Sequence, residues 1–205
     1  KHASMCSDAH RLDQIHAFLN QAYWHGARLQ WFDQDASTRR YARLSHPEGH
    51  TAILMDAPRI EDAPCTPEMT AEDRQSLGWN AMTRLASSRV DAIVLIADHL
   101  LKAGLRAPKI LSHDTELGLA LLEDFGDQRE FARLIETGTA EIPLYQQAAK
   151  DLAKLHQYPK PHFLDNVGDR WPILEFDGVA LAANADLFAD WFHAYAPGAR
   201  MTDAD

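Results

Sequence analysis

Cysteine is almost missing from this chain: Cys6 and Cys65 are the two present, far apart and in no CxxC pair. That excludes a disulfide framework and a cysteine zinc cluster, and it points to a reducing, cytoplasmic setting. Long apolar runs are missing as well. No stretch approaches the ~20 residues that cross a bilayer, and the opening KHASMCSDAH lacks the apolar centre of a signal peptide. No membrane partner is expected. Basic charge is scarce: 20 Lys and Arg against 30 Asp and Glu give a formal net charge of -10. A broad phosphate-tracking surface for DNA or RNA is therefore excluded. There is no internal repeat and no low-complexity tract, and Lys1 to Ser4, ahead of Met5, read as the remnant of an expression tag.

What is present is enough to fold. A hydrophobic content of 46% over 205 residues can bury a core, as one large domain or two small lobes. Leu12, Ile15, Phe18, Leu19 and Ala22 recur at helical spacing, which predicts a first helix over 8–25 stopped by Gly26. Short β-prone runs follow at 28–32, 39–45 and 51–56, with SHPEGH as the turn between the last two, so a small antiparallel sheet is expected. His46 and His50 stand four apart in that turn. Pro47 and Gly49 between them argue against a helical metal pair. From Pro58 to Gly78, Pro, Asp, Glu and Thr predict a loop with one short helical turn.

A longer helix is predicted over 87–102, with Val90, Ile93, Val94, Ala97 and Leu101 on one face and Gly104 as its cap. Asp91 and Asp98 read as its solvated side. Strands are expected at 109–112 and 117–122, the second nearly all apolar. After Gly126 only helices are predicted: 129–136, then 142–156 with Leu144, Tyr145, Ala148, Leu152 and Leu155 inward, then 176–195 with Val179, Ala183, Leu187, Phe188 and Trp191 inward. QYPKPHFLDNVGDRWP between the last two reads as a loop. His156, at a helix end, reads as a cap favoured by the dipole. The fold class expected is α+β, with a sheet-bearing lobe over 8–123, a linker at 124–127 and a helical part over 128–205.

LLEDFGD, residues 121 to 127, contains the letters of the protein-kinase magnesium motif, Asp124-Phe125-Gly126. A protein kinase sets an H-R-D catalytic loop shortly upstream of it, because base and metal meet at one phosphate. None of the eleven histidines has an Asp two residues on. The protein-kinase reading of the triplet is thereby excluded.

The stretches DASTRRYARL, TAILMDAP, GLRAPKIL, GLALLEDFGD, DLAKLH and LFADWF, in that order, resemble the aminoglycoside phosphotransferase family, and within it the bacterial branch that includes anomeric sugar kinases of cell-wall recycling. The likeness runs from about Gln14 to Trp191. It implies a protein-kinase-like fold, an ATP-dependent kinase with Mg2+ as cofactor, and a small-molecule acceptor, a sugar or amino sugar. It further implies that Glu123, Asp124, Phe125 and Gly126 form the hinge whose backbone meets the adenine edge. Ser37, Thr38, Arg39 and Arg40 are candidates for phosphate contact in a turn with no glycine; the alternative is a polar hairpin with solvated arginines. Met55 stands where kinases carry the phosphate-pairing Lys of V-A-I-K, so that ion pair is not carried over. Asp186, Asp190 and Trp191 either face an acceptor cleft or belong to an ordinary amphipathic helix. The family's H-x-D-x-x-x-x-N loop and second metal-binding Asp are expected beyond residue 205, so no catalytic or metal residue is assigned within the chain. A non-catalytic, pseudokinase-like module that binds nucleotide or a partner stays open beside the enzyme.

Overall fold

The computed structural model describes residues 2–33, 39–58, 65–84, 89–126, 130–138, 141–166 and 169–195. The architecture is mixed α+β, a small antiparallel sheet with several helices. The chain divides into two compact units that interleave in sequence: residues 1–61 with 88–171, and residues 62–87 with 172–205.

The first unit is built on a five-stranded sheet of order β1-β2-β3-β5-β4, every neighbouring pair antiparallel. The strands are β1 (Arg28–Trp31), β2 (Arg40–Ser45), β3 (Thr51–Asp56), β4 (Ile110–Asp114) and β5 (Leu119–Glu123). Side chains alternate across a pleated strand, and here both faces are covered. Ala42, Leu44, Ala52, Leu54, Leu119 and Leu121 pack with Ile15, Phe18 and Leu19 of helix α1 (His2–Gln21). On the other face Met55, Ala120 and Leu122 pack with Val90 and Val94 of helix α4 (Val90–Lys102). Burial on two sides is why β5 reads as an unbroken apolar run.

Helix α1 ends at Gln21, earlier than the expected His25. Tyr23, with φ 63, takes the left-handed position, and the Trp24 amide donates back to Leu19 O at 2.7 Å. The end is thus closed before Gly26 is reached. Gly104 does cap α4 as predicted, with φ +71 and bonds from Gly104 N to Leu101 O and Leu105 N to Leu100 O, both 2.9 Å. Asp91 corrects its assignment to a solvated face: it is buried, forked by Arg89, and Arg89 in turn lies 5.3 Å over the Trp171 ring. Asp98 pairs with Lys102 at the surface.

Helices α5 (Glu130–Glu136) and α6 (Glu141–Gln157) follow. The expected inward face of α6 is not buried: Tyr145 is 55% and Leu152 53% exposed, and no α6 residue is buried. Near its end Lys154 Nζ donates to Gly104 O at 2.7 Å, and just beyond it Tyr158 meets His99 edge-on at 5.1 Å. The segment expected as a loop instead forms a two-stranded sheet, β6 (Phe163–Asn166) with β7 (Asp169–Pro172), and Arg170 covers the Phe163 ring at 3.9 Å. That cross-strand cation–π contact helps to hold the two short strands together.

The second unit holds α2 (Ala71–Leu77), α3 (Trp79–Met82) and α7 (Gly178–Tyr195). Thr70 and Asp73 form a reciprocal capping box that starts α2. Asp177 starts α7, accepting from the Ala180 amide at 3.0 Å. Its carboxylate also receives the fork of Arg74, a side chain only 2% exposed, at 3.2 and 2.8 Å. Along α7, Ala180 and Ala183 are buried as core, whereas Phe188, expected inward, is 68% exposed.

Candidate functional site

The sheet brings the end of β5 beside the start of β3, with Ala52 opposite Glu123 and Ile53 opposite Leu122. On β2, Arg43 stands opposite Ile53, and Tyr41 opposite Met55. Tyr41, Arg43, Ile53 and Met55 therefore share the face that α4 covers. The cover is uneven. Met55 is fully buried against Val90 and Val94, while Tyr41 and Ile53 are only half-buried. An apolar surface is left partly open next to the segment 123–126.

That segment is held by two arginines. Arg43 forks onto Asp124, Nε to Oδ2 at 2.8 Å and a terminal nitrogen to Oδ1 at 3.1 Å, and the Gly126 amide donates to Oδ1 at 2.8 Å. Arg106 donates to Glu123 Oε1 at 2.6 Å and stacks on the exposed Phe125 ring at 4.6 Å. Glu123 also accepts from the Lys109 amide at 3.1 Å, and its own amide donates to Lys109 O at 2.9 Å. A fork such as that of Arg43 fixes geometry as well as charge. Gly126, at φ +80, supplies the left-handed turn after the strand.

The electrostatics follow from those bonds. Burial pushes the Asp124 carboxyl up, but hydrogen bonds from Arg43, the Gly126 amide and Thr51 outweigh it and hold the group below the ordinary Asp range. Glu123 is lowered first by its hydrogen bond from Arg106 and then by that from the Lys109 amide. A carboxyl with a depressed folded-state pKa stabilises the fold above its unfolded value and loses that contribution as pH falls through the folded one. Unfolded Asp and Glu titrate near about 3.9 and 4.3. The urea midpoint is accordingly expected to hold from pH 7 to about pH 4.5 and to fall below that. In Arg43→Ala the acid limb should be shallower, because the folded Asp124 loses its main proton competitor. An unchanged limb would dissociate Arg43 from the behaviour of Asp124.

Neither carboxylate suits magnesium. Each is already neutralised by an arginine, and the Asp124 side chain is 4% exposed. Asp124-Phe125-Gly126 thus serves as an arginine-braced turn.

Other expected residues fall as follows. Arg40 joins the Asp56 carboxylate and stacks over Trp31 at 4.8 Å. Arg39 precedes β2 and has an interaction partner of its own. Ser37 and Thr38 lie outside the described residues. Asp186 is exposed on α7, and Asp190 and Trp191 lie further along that helix, their side chains outside the described set. Sequence reasoning did not single out Arg43, Arg106, Tyr41 or Ile53. Strand alternation in YARL and TAILM was the available signal for three of them, since it puts Tyr41, Arg43 and Ile53 on the Met55 face once the pairing is known.

No protein-family model matches the chain. Among curated proteins it is similar to the N-acetylmuramate/N-acetylglucosamine kinase of Caulobacter vibrioides, 43% identical over 175 residues, which is 85% of this chain and 48% of that protein. A protein with the same name from Pseudomonas putida is 28% identical over 171 residues, 83% of this chain and 39% of the relative. The chain spans about half the length, or less, of the curated relatives it matches.

Proposed function

We propose that this chain is the nucleotide-holding part of an ATP- and Mg2+-dependent sugar kinase of the aminoglycoside phosphotransferase family, with a protein-kinase-like fold, working in the cytoplasm on an amino-sugar hydroxyl. The observation that carries the reading is the 43% identity over 175 residues to a kinase named for N-acetylmuramate and N-acetylglucosamine. The geometry supports it. Tyr41 and Ile53 are half-buried and offer adenine an apolar surface, and residues 123–126 are proposed as the hinge whose backbone meets its edge. The Arg43 fork and the Arg106 bond brace that segment, which lowers the ordering cost of nucleotide binding. Magnesium, when bound, screens the charge on the transferred phosphoryl group, and its ligands are sought outside residues 123–126 because those carboxylates are committed. Asp186, Asp190 and Trp191 are proposed for the acceptor side, and Ser37, Thr38, Arg39 and Arg40 for the phosphate side.

One observation favours a second reading, a nucleotide-binding module without catalysis. Met55 packs against Val90 and Val94, so the lysine of the lysine–carboxylate pair that protein kinases use is replaced by a buried apolar residue. The whole protein, incubated with ATP and magnesium, separates the two. One ADP released per N-acetylmuramate or N-acetylglucosamine phosphorylated is the expected result. Nucleotide binding without acceptor-dependent ADP release would support the module instead.

A further inference from the structure

The turn joining β2 to β3 carries a cluster that the kinase reading leaves unused. The His46 amide donates to His50 O and the Gly49 amide to His46 O, both at 2.9 Å, so the turn is closed through its backbone. Gly49 sits at φ +93, a conformation that side-chain-bearing residues rarely take. Closure sets His46, Glu48 and His50 on one side, and one ligand atom from each lies within 4.8 Å of the others. The turn that excludes a helical histidine pair thus gathers the same two histidines by another route.

The arrangement is built rather than casual. The His46 side chain is 9% exposed, and its Nε2 is buried with no hydrogen-bond partner. Its ring stacks on that of His50 at 4.1 Å and 20°, and the Trp24 ring meets the two edge-on at 5.5 and 4.8 Å. The Glu48 amide donates to His46 Nδ1 at 3.2 Å, which assigns a lone pair to that nitrogen. Glu48 Oε2 stands 3.9 Å from the same nitrogen. A metal ion at this nitrogen displaces the long 3.2 Å amide bond and draws Glu48 Oε2 in from 3.9 Å.

We propose that His46, Glu48 and His50 bind a divalent transition-metal ion of the zinc class, which clips the β2–β3 hairpin. Two imidazoles and one carboxylate match that ion's ligand preference, with bonds of about 2.0–2.2 Å. Ligand atoms now up to 4.8 Å apart close to about 3.4 Å around such an ion, and the His50 ring turns out of its stack on His46; Glu48 and His50 are exposed and can make these moves, while His46 is held by its neighbours. Magnesium, which takes oxygen ligands, does not fit. The site adjoins residues 123–126, since His50 precedes Thr51, whose side chain helps to hold Asp124.

The test is calorimetric titration of the chain, freed of chelator and of any polyhistidine tag, with ZnCl2 and separately with MgCl2. One Zn2+ per chain, with a dissociation constant on the order of micromolar, is expected, together with a raised Tm and no heat from Mg2+. His50→Ala and Glu48→Gln, both at exposed positions, should each weaken Zn2+ by about tenfold or more, that is about 1.4 kcal/mol, and abolish the Tm rise. Far-ultraviolet circular dichroism keeps folding separate from binding. Zinc affinity equal to wild type in both variants would assign the metal to other histidines and overturn the proposal, as would a dissociation constant weaker than about 1 mM.

Discussion

Met55→Lys is expected to lose about 4–5 kcal/mol of folding stability at pH 7. The position is fully buried, among Ala57, Val90, Val94, Ala120 and Leu122. The buried carboxylates next in sequence to this cluster are already engaged, Asp56 by Arg11 and Arg40 and Asp91 by Arg89, so the folded chain keeps the lysine neutral and its folded pKa falls well below the unfolded value of about 10.4. The unfolded state then binds more protons than the folded one between the two values, and stability rises with pH through that window. The urea midpoint of the variant should therefore be far below wild type at pH 7 and recover toward pH 10. For a domain whose total stability is about 5–15 kcal/mol, this is a loss near the threshold of folding. A variant with a wild-type midpoint at both pH values would mean that a carboxylate reaches this position, the arrangement of an ion-paired kinase lobe.

Asp56→Ala should cost about 3 kcal/mol or somewhat more. Asp56 closes β3 and is 0% exposed; Arg11 of α1 meets its Oδ1 at 2.9 and 2.7 Å, and Arg40 of β2 meets its Oδ2. Removing the carboxylate strands two cations of unequal burial. Arg40, 39% exposed, turns to solvent, and its share is small. Arg11, 14% exposed, also donates to Leu117 O at 2.8 Å and is held in place, so its charge stays uncompensated. Arg40→Ala, in contrast, leaves Asp56 paired with Arg11 and should cost under about 1 kcal/mol. Urea unfolding of the two variants at equal slope reads the difference. Equal losses would remove the special role assigned to the contact between α1 and the sheet.

The residues themselves determined much of this. The helical spacing of Ile15, Phe18 and Leu19, the two-sided apolar run of β5, the turn at SHPEGH and the cap at Gly104 are local signals, and local physics carries them into the fold. The exclusions were legible as well, since charge balance and the missing H-R-D loop depend on composition and order alone. Two further elements are local as well: Thr70 with Asp73 is a capping box in plain letters, and FLDNVGDRWP holds a strand pair with a glycine between.

Tertiary structure decided the rest, because charges choose partners across distance. No spacing rule joins Arg43 to Asp124 or Arg74 to Asp177, which are 81 and 103 residues apart. The reading of Asp91 as solvated failed for the same reason: helical periodicity does not know that Trp171 and Arg89 cover that side. Likewise the apolar face of α6 is plain in its periodicity, yet what buries a face is a second surface, and none of the described residues buries it. Sequence determined which surfaces were apolar and where the chain turned. Which of them meet, and which carboxylates are thereby taken out of use, was set by the pairing of strands and the reach of arginines.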